Sequence, residues 1–271
     1  MNAAAAQAPV IETRELTRSF GPLVAADHVT FKIEAGETFA LLGRNGAGKT
    51  TVIKMLTTLL PPTSGAAWVG GFDVQREASR VRRIIGYVPQ ALSADGELTG
   101  YENLLVFARL YDIPRGEIRR RIGEALEFMG LAAFAHKLVK TYSGGMIRRL
   151  EIAQSTLHRP RALFLDEPTV GLDPVARIAV WDLLERLQSI SGSAILLTTH
   201  YLEEAERLCG RVAIMNAGRI AAMGAPAALK AGLGPDATFE EAFERYTAGA
   251  EESFAAYEST SRARDSAQRH G

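Results

Sequence analysis

The sequence predicts an α/β fold: a helix-covered sheet that begins with an antiparallel β portion and is interrupted by a helical block. Three observations predict it. Short apolar runs recur with amphipathic helical stretches between them, the pattern of a sheet packed under helices. The stretch from Val10 to about Gly36 alternates apolar and polar residues. From about 91 to 160 the spacing becomes helical.

Leu16 and Phe20 in one segment, and Val29, Phe31 and Ile33 in the next, read as half-buried antiparallel strands parted by Gly21-Pro22. Phe39-Ala40-Leu41-Leu42 runs apolar into a glycine-rich turn, and residues 50–60 follow with helical spacing up to Pro61-Pro62. A β-like stretch at Trp68-Val69, a basic helix over 77–83 and a strand over 84–88 come next, ending at Pro89-Gln90. Thr99-Gly100-Tyr101-Glu102 has the Thr-x-x-Glu form of a capping box, so a helix begins there and is expected to stop at Pro114. Ile118, Ile122, Ala125, Leu126 and Met129 make a second helical stripe closing at Gly130, and a third helix runs from Ser143 to before Pro160. Strands return at 162–165, 194–198 and 212–215, with an amphipathic helix over about 174–189. Phe239, Ala242, Phe243 and Tyr246 keep helical spacing and are expected on the core. The chain thus divides into a flexible lead-in (1–9), one domain (10–248, with helical insertion about 91–160) and a tail (249–271) expected to be disordered.

Hydrophobic residues at 47% and charged residues at 23% describe a folded globular chain. Basic and acidic residues number 31 each, so no net field draws the molecule to a polyanion, and no nucleic-acid partner is expected. The single cysteine, Cys209, cannot form an internal disulfide and reads as a small buried hydrophobe, fitting a reducing cytosol. No run approaches the ~18–20 apolar residues that a bilayer-spanning helix needs. The opening lacks the basic and apolar regions of a secretory signal.

Gly43-Arg44-Asn45-Gly46-Ala47-Gly48-Lys49-Thr50 matches G-x-x-x-x-G-K-[ST] between a predicted strand and a predicted helix. Glycines let backbone N–H groups face phosphate oxygens at a helix start, Lys49 adds a point charge, and the Thr50 hydroxyl is placed for Mg²⁺. The apolar strand at 162–165 ends in Asp166-Glu167, which suits one carboxylate to the metal and the other to polarising water. Ser143-Gly144-Gly145 opens a helix with an N-cap serine and bare backbone N–H groups, a second anion-binding start.

This ordered set (P-loop, Gln90, Ser-Gly-Gly, Asp-Glu, Gly171-Leu172-Asp173, His200) resembles the ATP-binding-cassette (ABC) ATPases from about Val10 to Thr247. The resemblance implies a P-loop NTPase core with an antiparallel β subdomain and an inserted helical signature subdomain. It implies ATP bound by Gly43, Arg44, Asn45, Gly46, Ala47, Gly48, Lys49, Thr50 and Thr51, with Mg²⁺ on Thr50, Gln90 and Asp166. Glu167, Gln90 and His200 take the catalytic roles, Ser143, Gly144 and Gly145 contact the γ-phosphate held by a second copy, and Asp173 lies at the dimer interface. Phe20 stands where the family has an adenine-stacking aromatic; a buried strand aromatic is the competing reading. Tyr142 and Met146 depart from the common leucine and glutamine, and Tyr-Ser-Gly-Gly-Met followed by Arg148-Arg149-Leu150 resembles the drug-resistance exporter branch. The expected protein is therefore the ATPase of an exporter, a homodimer peripheral to the cytoplasmic membrane face and paired with a separate transmembrane permease subunit.

The alternative is a non-transport ABC ATPase acting on nucleic acid or ribosomes. Against it, Gln90 and Ser143 are only 53 positions apart, leaving no room for a long coiled-coil insertion, and the chain holds one P-loop. The pairs Arg82-Arg83 and Arg148-Arg149, and the basic run 119–121, read as solvated helix faces, with docking to a membrane subunit or to lipid headgroups as the minority reading. His28, His136, His158 and His270 lack metal-ligand spacing.

Overall fold

The computed structural model describes residues 8–234 and 237–248, so the tail and nearly all of the lead-in lie outside the described residues. β1 (Ile11–Phe20) and β2 (Leu23–Ile33) form the expected hairpin, with Ile11 opposite Ile33 and Phe20 opposite Leu23. β3 (Thr38–Leu42) leads through the glycine-rich loop into α1 (Lys49–Leu56). β4 (Ser64–Val69) and β5 (Phe72–Asp73) then return to the hairpin and complete an antiparallel sheet of order β2-β1-β4-β5. α1 ends four residues short of the predicted Leu60. Thr58 takes a left-handed φ of 64°, and the N–H groups of Leu59 and Leu60 both fold back to Lys54 O, so the chain turns before Pro61-Pro62 arrives.

α2 (Ala78–Ile84) and β6 (Ile85–Val88) precede the helical block of α3 (Gly100–Leu110), α4 (Arg115–Phe128) and α5 (Gly144–Thr156). The Thr99–Glu102 capping box forms in both directions. Pro114 does not stop α3, which ends at Leu110; it precedes α4 instead, where its fixed φ suits a helix start. After the block come β7 (Ala162–Asp166), α6 (Pro174–Ser191), β8 (Ala194–Thr199), α7 (Leu202–Leu208), β9 (Arg211–Asn216), β10 (Arg219–Gly224), α8 (Pro226–Ala231) and α9 (Phe239–Thr247). The second sheet has the order β10-β9-β3-β8-β7-β6 and is parallel except where β10 meets β9.

The central strands are buried on both faces, which explains their continuous apolar runs. Alternate residues of β3 serve different layers. Ala40 and Leu42 join the helical block and α6, whereas Phe39 and Leu41 join α1 and the antiparallel sheet. Cys209 is buried as expected, and burial pushes its thiol well above the usual range. Tyr142 is explained by packing: its hydroxyl donates to Phe134 O at 2.7 Å.

His158, just past α5, donates from Nε2 to Ile85 O at 3.0 Å and stacks on Tyr111, while its buried Nδ1 has no hydrogen-bond partner. Burial pushes its pKa down to about 4. The unfolded imidazole protonates near 6.5, so between pH 6.5 and 4 the unfolded chain holds more protons and the fold loses stability on acidification, by at most about 1.4 kcal/mol per pH unit. Urea unfolding between pH 4 and 7 should show a shallower pH dependence for His158→Gln than for the parent; parallel profiles would remove His158 from this role.

Candidate active site at the strand ends

Parallel pairing sets the ends of β3, β8, β7 and β6 side by side, with Leu42 paired to Thr199, Asp166 to Thr198, and Val88 to Leu165. The loops that leave these ends carry Lys49, His200, Glu167 and Gln90, a common edge at which parallel sheets bind ligands. Glu167 is where they converge. Its carboxylate lies 3.2 Å from Lys49 Nζ and 3.2 Å from His200 Nδ1, and Gln90 Nε2 donates to it at 3.4 Å.

Glu167 has a left-handed φ of 48°, a conformation that costs a non-glycine residue about 1–2 kcal/mol. The turn is held because its N–H donates to Thr198 O at 3.1 Å and to Thr198 Oγ1 at 3.0 Å. Next to it, buried Asp166 accepts from Thr50 Oγ1 at 3.0 Å and from Thr198 Oγ1 at 2.6 Å. Thr198 was not anticipated from sequence. Its signal is a pair of threonines, Thr198 and Thr199, closing a buried strand that is otherwise apolar.

In the P-loop, Gly48 has φ of 100°, and a Cβ there would lie 2.2 Å from Ala25 O, so only glycine fits. Lys49 is 4% exposed and donates to Gly43 O at 2.8 Å and Arg44 O at 3.2 Å. Thr50 and Thr51 lie in the first turn of α1; Asn45 and Gly46 are exposed, and Ala47 is buried with its N–H on Arg44 O. Thr50 Oγ1 and Asp166 Oδ1, 3.0 Å apart, are oxygen donors of the kind that suits Mg²⁺, a hard cation, and the Gln90 amide lies beside the adjacent carboxylate of Glu167.

Ser143 caps α5 by accepting from Met146 N at 3.3 Å, and Ser143 and Gly144 are exposed. Gly145 is buried; a Cβ there would come within 2.8 Å of Ala176 Cβ on α6. Asp173 is exposed and caps α6 through Ala176 N at 2.9 Å. Phe20 is 45% exposed, which overturns the buried-strand reading, and the Arg18 guanidinium lies 4.6 Å over its ring.

Arg148 corrects a second expectation. It is not on a solvated face: it is 1% exposed, and its guanidinium donates to Pro89 O and Gln90 O, both at 2.7 Å. Successive helical residues point about 100° apart, so Arg149 goes elsewhere, onto Met129 O and Gly145 O.

A sequence model of the family described as "ABC transporter" matches residues 26–170. The daunorubicin/doxorubicin resistance ATP-binding protein DrrA of Streptomyces peucetius is 45% identical over 83% of this chain and 68% of its own length. The linearmycin resistance ATP-binding protein LnrL of Bacillus subtilis is 37% identical over 84% of this chain and 73% of its own. A solved ATP-binding subunit of an ABC transporter superposes with a TM-score of 0.78 at 30% identity, covering 88% of this chain and 99% of that one. With its P-loop, acidic strand end and helical insertion arranged as described, the chain belongs to the ABC transporter family and is an ATP-binding domain of it.

Proposed function

We propose that this chain hydrolyses Mg-ATP to power export through a separate transmembrane subunit, on whose cytoplasmic side it sits. The observation that carries the ATPase is the convergence of Lys49, Gln90 and His200 on one carboxylate, beside the Asp166–Thr50 pair. Residues 43–51 cradle the phosphates, and Phe20 offers an exposed ring to the adenine. Thr50, Asp166 and Gln90 would hold Mg²⁺, which would supply positive charge against the phosphates. Glu167 accepts a proton from water as the water oxygen bonds to the γ-phosphorus and the bond to the ADP oxygen breaks. Lys49 orients that carboxylate and balances its charge, with the His200 ring beside it.

Exposed Ser143 and Gly144 support the two-copy reading, since this helix start is free to meet the nucleotide of a second copy, with Asp173 beside the same surface. The resistance relatives support export; the drugs in their two names differ, so substrate choice is assigned to the membrane subunit. Among the described residues no helix is long and apolar enough to cross a membrane.

Glu167→Gln should keep ATP binding, lose about 10²-fold or more of steady-state turnover, and accumulate an ATP-bound dimer on size exclusion; turnover at the parental rate would remove Glu167 as base. Tagged chain cross-linked in native membranes should recover a polytopic membrane protein in near-equal amount by mass spectrometry. Recovery of ribosomal or DNA-bound proteins alone would defeat the transport reading.

A further inference from the structure

The turn that carries Gln90 is tied along its length to α5, the helix that begins at Ser143. Arg148 donates to Pro89 O and Gln90 O at 2.7 Å each. One helical turn on, Glu151 lies 3.0 Å from Arg148, and its other oxygen accepts from Ser93 N, from Ser93 Oγ at 3.1 Å and from Ala94 N at 3.3 Å. Both side chains are essentially sealed from water, 1% and 3% exposed. An ion pair so buried brings no large net stability, because desolvation consumes most of the attraction. What it supplies here is geometry: a planar fork fixes two consecutive carbonyls, and a carboxylate fixes the N–H groups three and four residues beyond Gln90.

We propose that Arg148 and Glu151 are positioning residues, a buried clamp through which the signature helix sets the placement of Gln90 in the active site. The proposal rests on the catalytic role assigned to Gln90 above. Lysine at 148 keeps the charge that Glu151 needs but cannot span two carbonyls, so Arg148→Lys separates positioning from folding.

In the purified full chain with Mg-ATP, Arg148→Lys should lower kcat about tenfold, the scale of a sub-ångström displacement of a reacting group, with KM for ATP and the thermal midpoint little changed. In a Gln90→Ala background the same substitution should cost less than about twofold, because the residue it acts through is gone. Parental kcat in Arg148→Lys, or a loss undiminished in the Gln90→Ala background, would overturn the clamp. Parental kcat in Gln90→Ala would overturn the role of Gln90 itself, and the clamp with it. Should Arg148→Lys fail to fold, Glu151→Gln, nearly isosteric, replaces it in the same cycle with the same expected and overturning results.

Discussion

A single hydroxyl, that of Thr198, donates to Asp166 at 2.6 Å and accepts the Glu167 N–H at 3.0 Å. A hydroxyl can do both at once, and this one thereby sets two adjacent carboxylates. Asp166 in turn accepts from Thr50, which ties the first turn of α1 to β7 and, through Thr198, to β8. Leaving any of these buried groups unpaired would cost about 1–3 kcal/mol, so the junction is well determined and the strained turn at Glu167 persists on it. From that turn the carboxylate reaches Lys49, Gln90 and His200, which arrive from three other strand ends.

A second buried carboxylate secures the far side of the same edge. Glu204, on the short α7 that follows His200, accepts from Thr169 Oγ1 at 2.7 Å and from Trp181 Nε1 at 2.8 Å. It thus joins α7 to the turn after Glu167 and to α6, the helix whose cap is Asp173. Burial pushes the Glu204 carboxyl up, and the hydrogen bonds from its neighbours oppose that shift. The elements around the site are fastened by polar groups inside an apolar shell, which favours one geometry over nearby alternatives.

Strand and helix identities were legible because β3, β7, β8 and β9 are short apolar runs, and because the Thr99–Glu102 box is a local device that needs no tertiary context. α7, β10 and α8 were missed: six or seven residues are too few for periodicity to show, and β10 alternates only between exposed and half-buried positions. The site was legible where one motif dictates local backbone, as at Gly48 and Lys49. It was not legible at Thr198, Arg148 and Glu204, whose partners are distant in sequence. Arg148-Arg149 reads as a charged face only if neighbours share an environment. On a helix they do not; the relevant pair is Arg148 with Glu151, one turn on, on the same face.

The two glycines of Ser143-Gly144-Gly145 do not carry equal weight. Gly145 is demanded by packing, since any side chain there would press into Ala176, so its presence says nothing by itself about phosphate. Gly144 is exposed, and the nearest atom to a Cβ there, Leu172 Cδ2, would sit at an ordinary 3.5 Å, so packing does not require glycine. A side chain at 144 would instead stand at the exposed start of the helix, where an incoming anion needs room. The case for a phosphate contact in trans therefore rests on Gly144 and on the Ser143 cap. Gly145 instead ties the start of α5 to α6, the helix capped by Asp173, so the two surfaces assigned to a second copy are held as one rigid face.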